Sequence, residues 1–203
     1  AAGIDPNVNK SNPYPVFGKI SDCDINADVI IDFSTASAVK PLLEYASEKQ
    51  IPVVVCTTGL SDELLDFVRK TAKKIPVFFS ANMSLGINLL INLVKRVSEV
   101  LCDANFDIEI IEKHHNQKID APSGTALALA NAINEVFDNS YTYQYDRSLD
   151  RKKRDKKEIG IHAVRGGTIV GDHSIMFAGK DEIIELKHTA TSKEVFAVGA
   201  LKA

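Results

Sequence analysis

The chain has 203 residues, of which 45% are hydrophobic and 25% charged, and its net charge is −3. A chain of that size can bury a full hydrophobic core. Its composition excludes collagen-like and wholly disordered proteins, and the acidic balance argues against nucleic acid as the main partner. Three scattered cysteines, Cys23, Cys56 and Cys102, suit neither a disulfide scaffold nor a Cys-based metal site, and fit a reducing cytoplasm. No apolar run reaches the roughly 18–20 residues of a membrane span, and no charged-then-apolar leader opens the chain. The expectation is a cytoplasmic globular enzyme or small-molecule binder, with no membrane partner.

From Asp28 to Ser80 the pattern alternates strand and helix. Asp28–Phe33 is a β-branched apolar run, as in a parallel strand buried on both faces. A helix is predicted from Ser37 to Lys49, with Val39, Leu42, Leu43 and Ala46 on one stripe and Pro41 placed in its first turn. Pro52–Cys56 is the next strand. Asp62–Lys74 is the next helix, with Ser61 as N-cap, acids at its start and lysines at its end. Ile75–Ser80 closes the series as a third strand. Strand-helix-strand-helix-strand over about fifty residues predicts half of a doubly wound, Rossmann-like α/β sheet.

The character changes near Ser84, and a boundary is placed at Ala81–Ser84. Leu85, Leu89, Val94, Val97 and Leu101 recur at helical spacing, and Phe106–Glu112 alternates apolar and acidic residues like a half-exposed strand. A helix from Thr125 to Phe137 precedes strand-like runs at Ile159–Val164, Thr168–Phe177 and Glu182–Thr191. This predicts a second, α+β domain with a mostly antiparallel sheet. Arg147–Glu158 carries seven bases and three acids. Lacking aromatic residues, it reads as a solvated, mobile loop sooner than a phosphate or nucleic-acid site.

Chemistry concentrates in Glu112-Lys-His-His-Asn-Gln-Lys-Ile-Asp-Ala-Pro-Ser-Gly-Thr125, at a strand end and a helix start. His114, His115 and Lys118 stand close in sequence. Ser123, Gly124 and Thr125 would present hydroxyls and free N–H groups to an anion at the helix N-terminus. One imidazole would remain free to move a proton near neutral pH. Each part has a plainer reading: Ser123 as a simple N-cap, the histidines and Lys118 as solvated surface. Zinc lacks further ligands at sensible spacing, and Ser123 lacks the glycine-flanked elbow of a serine nucleophile. Co-occurrence within fourteen residues favours a functional site.

This run resembles the signature of the dihydrodipicolinate reductase family. Asp32-Phe-Ser34, Cys56-Thr-Thr-Gly59, Ser80–Asn88, Arg165–His173 and Phe196–Ala200 agree in order, so the resemblance covers Ala1 to Ala203. It implies NADH- or NADPH-dependent reduction of a small cyclic dicarboxylate in the diaminopimelate route to lysine, carried out by a homotetramer. His114 would be the general acid and Lys118 a second catalytic residue. His115, Lys118, Ser123, Gly124 and Thr125 would bind substrate. Asp5, Phe33, Ser34, Cys56, Thr57, Thr58, Gly59, Ser80, Ala81, Met83, Lys193 and Phe196 would face the cofactor. The implied domains are 1–83 for the dinucleotide and 84–193 for substrate and oligomerisation, with 194–203 returning to the first.

The chain also departs from the family pattern. Cys56 stands where the family usually has glycine, and Lys193 stands where an arginine is common, which keeps the charge and loses the bidentate fork. None of the 11 glycines forms a Gly-x-Gly-x-x-Gly loop. The expectation is that the phosphate loop precedes Ala1 and that the family continues beyond Ala203. The competing reading is a non-catalytic dinucleotide-binding or sensor protein on the same fold. Such a protein would have no need to keep His114, Lys118 and the anion-binding turn together.

Overall fold

The structure, a computed structural model, describes residues 1–8, 12–101 and 104–203. It divides into two compact units, Ala1–Ala81 and Asn82–Lys202. Lys10 and Cys102 lie outside the described residues.

In the first unit, β1 (Gly3–Ile4) pairs in parallel with β2 (Val16–Phe17), and a single 3-10 turn follows at Ile20–Asp22. A separate three-stranded parallel sheet runs β3 (Ile30–Asp32), β4 (Val53–Val55), β5 (Val77–Phe79) in that order. Helices α1 (Ala36–Lys49) and α2 (Asp62–Thr71) connect its strands. Val39, Leu43, Ala46 and Val68 of these helices pack with Val53, Val55 and Ile75 into one core. The Rossmann-like half-sheet expected from the alternation is therefore present.

Two local expectations are corrected here. α1 begins at Ala36, so Pro41 lies in its second turn, where it leaves the Ser37 carbonyl without its usual helical donor. Ser61 caps α2 as predicted, its hydroxyl accepting the Leu64 N–H at 3.3 Å, but the helix ends at Thr71.

The second unit is a five-stranded sheet covered on one face by two helices. Its elements are α3 (Leu85–Leu101), β6 (Asp107–His114), α4 (Gly124–Val136), β7 (Thr142–Gln144), β8 (Glu158–Arg165), β9 (Gly171–Ala178), β10 (Ile183–Ala190) and α5 (Glu194–Lys202). Strand order is β10-β9-β6-β8-β7. The long β10–β9 and β9–β6 pairings are antiparallel, while β6–β8 and the short β8–β7 pairing are parallel. Antiparallel pairing predominates without being exclusive. The run predicted from Thr168 starts at Gly171, because Gly166 and Gly167 turn the chain, the latter at φ +52°.

α5 groups with this second unit, whereas residues 194–203 were expected to return to the first. The physical reason is a close backbone approach: a Cβ on Gly199 would lie 1.7 Å from the Met83 carbonyl oxygen. Only glycine permits that contact.

Alternation along the strands sorts the second sheet into cross-strand rows. Ile108, Phe177, Ile184 and Ile159 form one row, and Ile110, Ile175, Leu186 and Ile161 the next. These rows pack against Ile87, Leu90 and Val94 of α3 and Ala126, Leu129, Ala130 and Ile133 of α4. One step further along, Glu112 faces His173, and His173 faces His188. Apolar rows thus give way to an ionisable row toward the N-terminal ends of α3 and α4.

Candidate active site

Both helix starts are tied to that ionisable row. Ser84 caps α3, its hydroxyl 3.3 Å from the Ile87 N–H and 3.3 Å from His188 Nε2. Ser123 caps α4, its hydroxyl accepting the Ala126 N–H at 3.2 Å and lying 3.0 Å from His173 Nε2. Capping satisfies one N–H and leaves others of the first turn free of intrahelical partners. Nothing lies within 4 Å of where a Cβ on Gly124 would be. The start of α4 is open to a ligand.

Glu112 and His114 are two residues apart on β6 and so share a face. His114 Nδ1 lies 2.5 Å from Glu112 Oε2. Arg165, at the end of β8, grips the same carboxylate at 2.8 Å to each oxygen, and the Ser123 N–H donates to Oε1 at 3.0 Å. Burial alone would raise the Glu112 pKa, but hydrogen bonds from His114, Arg165 and Ser123 outweigh it and hold the group near 2. Glu112 is therefore a fully buried carboxylate anion.

His114, His173, His188, Gly171, Thr125, Asn82 and Phe196 line one recess of about 40 Å³. A Cβ on Gly171 would come within 3.2 Å of His114 Nε2, so the glycine keeps that nitrogen clear. Burial, reinforced by the neighbouring His114, pushes the His173 pKa down to about 4. His173 is thus neutral at pH 7. Burial lowers His188 as well, against the opposing pull of Asp172.

The other substrate-binding candidates lie close by. Thr125 accepts a hydrogen bond from Asn82 Nδ2 at 2.9 Å. Lys118 pairs with Asp120 at 2.7 Å, so its charge is shared within the loop. His115 is half-buried directly after β6, and the Lys118 N–H donates to its carbonyl.

Of the cofactor candidates, nine fall in the first unit. Phe33, Ser34, Cys56, Thr57, Thr58, Gly59, Ser80 and Ala81 follow the carboxyl ends of β3, β4 and β5. The buried Asp32 ties two of these ends together, accepting the Thr57 hydroxyl at 2.9 Å and the Ser34 N–H at 3.0 Å. Phe33 is exposed, and Gly59 takes φ +72° with open space where a side chain would be. An open glycine turn and a flat exposed ring beside parallel strand ends fit a dinucleotide. Cys56 has no left-handed φ, so the family's usual glycine is not required there. Burial, then the Asp32 charge, pushes its thiol up to about 11.

Asp5 is in the first unit but follows β1, in a different sheet from the other eight, and its carboxylate accepts the Asn7 N–H at 2.8 Å. Met83, Lys193 and Phe196 belong to the second unit, where Met83 is buried, Lys193 exposed, and Phe196 lines the recess of His114.

Sequence reasoning assigned no role to Glu112, Arg165, His173, Asp32 or Gly171. The two-residue spacing of Glu112 and His114 was a local signal; Arg165, His173 and Gly171 meet His114 through the register of the second sheet, and Asp32 meets Thr57 through that of the first. The basic loop is corrected too. Arg147 and Arg154 both reach Glu109, and Arg147 also pairs with Glu158 and Arg154 with Asp107. These two bases fasten the loop to β6 and β8.

A parallel sheet with an open glycine turn at its strand ends suits a dinucleotide, and an oriented, buried histidine beside an open helix start suits proton transfer to an anion: these are features an oxidoreductase uses. Two family models match the chain: dihydrodipicolinate reductase, N-terminus, over residues 3–83, and dihydrodipicolinate reductase, C-terminus, over residues 86–203. The chain belongs to the dihydrodipicolinate reductase family.

Named relatives agree. The 4-hydroxy-tetrahydrodipicolinate reductase of Clostridium novyi is 56% identical over 202 residues, covering 100% of this chain and 79% of that protein. That of Caldanaerobacter subterraneus subsp. tengcongensis is 53% identical, again over 100% of this chain and 79% of the relative. Among solved structures, dipicolinate-bound dihydrodipicolinate reductase from Paenisporosarcina sp. TG-14 superposes with a TM-score of 0.72 at 28% identity, covering 98% of this chain and 81% of that one. No helix among the described residues is long and apolar enough to cross a membrane.

Proposed function

We propose that the enzyme reduces 4-hydroxy-tetrahydrodipicolinate, or the dihydrodipicolinate derived from it, to tetrahydrodipicolinate in the cytoplasmic diaminopimelate route to lysine. The observation that carries this reading is the Glu112–His114 pair beside the open N-terminus of α4. A bound NADH or NADPH supplies the hydride. His114 supplies the proton from Nε2, because Nδ1 is engaged by Glu112 and Gly171 leaves Nε2 uncovered. One substrate carboxylate sits against the N–H groups of Gly124 and Thr125 and the hydroxyls of Ser123 and Thr125, where the helix end favours negative charge. The other faces His115 and Lys118, whose ammonium leaves Asp120 for it. The dipicolinate held by the Paenisporosarcina relative has this same two-ended charge. Phe33, Ser34, Thr57, Thr58 and Gly59 hold the nicotinamide half of the cofactor. The sheet face away from α3 and α4, bearing Glu185, Lys187 and Thr189, carries the subunit contacts of a homotetramer. Consumption of NADH absorbance with enzymatically generated substrate tests the activity. No turnover with either nicotinamide cofactor would return the chain to a binding or sensing role.

A further inference from the structure

Four donors converge on one carboxylate in the second unit: His114 Nδ1, two Arg165 nitrogens and the Ser123 N–H, all on Glu112. Glu112 has no solvent contact, so among the described residues it is these donors that compensate its charge. Its two oxygens are not equivalent. Oε1 takes Ser123 and one arm of Arg165, while Oε2 is shared between the other arm and His114. Arg165 is itself fixed, donating also to the carbonyls of Asp120 and Val164. The fork therefore stays on the carboxylate while His114 changes charge.

We propose that Glu112 is the positioning residue for His114, fixing the ring with its proton on Nδ1, and that Arg165 tempers the hold of Glu112 on the imidazolium. A lone buried carboxylate 2.5 Å from Nδ1 stabilises the charged ring strongly and makes it a reluctant acid. A guanidinium bound to both oxygens withdraws part of that stabilisation. The cation then gives up its Nε2 proton to the substrate, and the neutral ring keeps Nδ1–H on Glu112, so charge and protons balance. Among the described residues, His173 also lies against the ring, with ring centroids 5.1 Å apart, and it is neutral at working pH. His188 stands opposite His173 on β10, and Asp172 precedes His173 on β9, where Lys113 and Lys187 pair with it. The dyad is thus set by Glu112 and Arg165. This inference rests on the reading of His114 as proton donor only for its kinetic arm.

Ring ¹⁵N NMR of the intact wild-type protein, at a pH where the imidazole is neutral, tests the positioning without cofactor or substrate. His114 carries its proton on Nδ1; an Nε2–H ring overturns the proposal whatever the activity. The pH profile of kcat tests the tempering. Glu112→Gln moves the alkaline limb to lower pH by about one unit and lowers kcat, whereas Arg165→Gln moves the limb to higher pH by a similar amount. Glu112→Asp keeps the charge and restores the wild-type limb with part of the kcat. Structural damage alone does not produce shifts of opposite sign. Limbs that stay put, or move together, contradict the role of Arg165.

Discussion

His114, Lys118 and His173 are three ionisable residues of the proposed site, and their surroundings suit them to different tasks. Lys118 already has a partner in Asp120, so in the proposed function it would bind substrate by exchange and contribute through orientation as well as charge. Lys118→Ala is expected to raise KM and lower kcat together, and His115→Ala to act mainly on KM; steady-state kinetics separates the two. His173 makes a stability prediction. Its folded-state pKa of about 4 lies below the ordinary 6.5, so the unfolded chain binds its proton first as pH falls. The stability it contributes is whole above pH 6.5 and is lost progressively toward pH 4. Glu112 adds a second loss, between its ordinary 4.5 and about 2. Melting temperature should therefore fall from pH 7 to pH 4, and His173→Gln should flatten that part of the curve. An equally steep fall in the variant would remove His173 from the account.

At the scale of elements, the proposed function gives the binding to α4 and the turn before it. Ser123→Ala deletes a cap worth about 1 kcal/mol and the hydrogen-bond partner of His173. Thermal unfolding of this variant should show the loss even without ligand. Pyridine-2,6-dicarboxylate should compete with substrate, and its monocarboxylate analogue should bind at least about tenfold more weakly, one charge-assisted hydrogen bond being worth roughly 1.5–3 kcal/mol. Gly124→Val fills the open side of the helix start and should abolish that competition while dinucleotide binding persists. Equal affinity for the two acids would reduce Ser123–Thr125 to a helix cap. Elements of this kind were legible in the chain because each carries its own period or cap: the alternation of β6, the stripe of α1, the serine before α2. β1, β2 and β7 were not, since strands of two or three residues have no period of their own; β3, β4 and β5 are as short but sit in longer apolar runs. Glu112 could be seen beside His114 by spacing alone. Arg165 and His173 reach the same carboxylate row only through the β6–β8 and β6–β9 registers, which no local pattern encodes.

For the whole molecule, two units divide the labour of a reductase. The first offers strand ends and an open glycine turn, and the second would offer, in the proposed function, the acid and the anion site. Asp5 ends β1 with a carboxylate suited to ribose hydroxyls and unsuited to a 2′-phosphate. NADH should accordingly be used at least as well as NADPH, and a tenfold or larger preference for NADPH in kcat/KM would remove Asp5 from the cofactor site. The central claim, that this family member reduces its substrate with the proton from His114, is tested most directly by kcat of His114→Gln against wild type with saturating cofactor. A fall of about 10²–10⁴-fold is expected, with a smaller change in KM. A variant that keeps more than a tenth of wild-type kcat would contradict it, and water or another group would then deliver the proton.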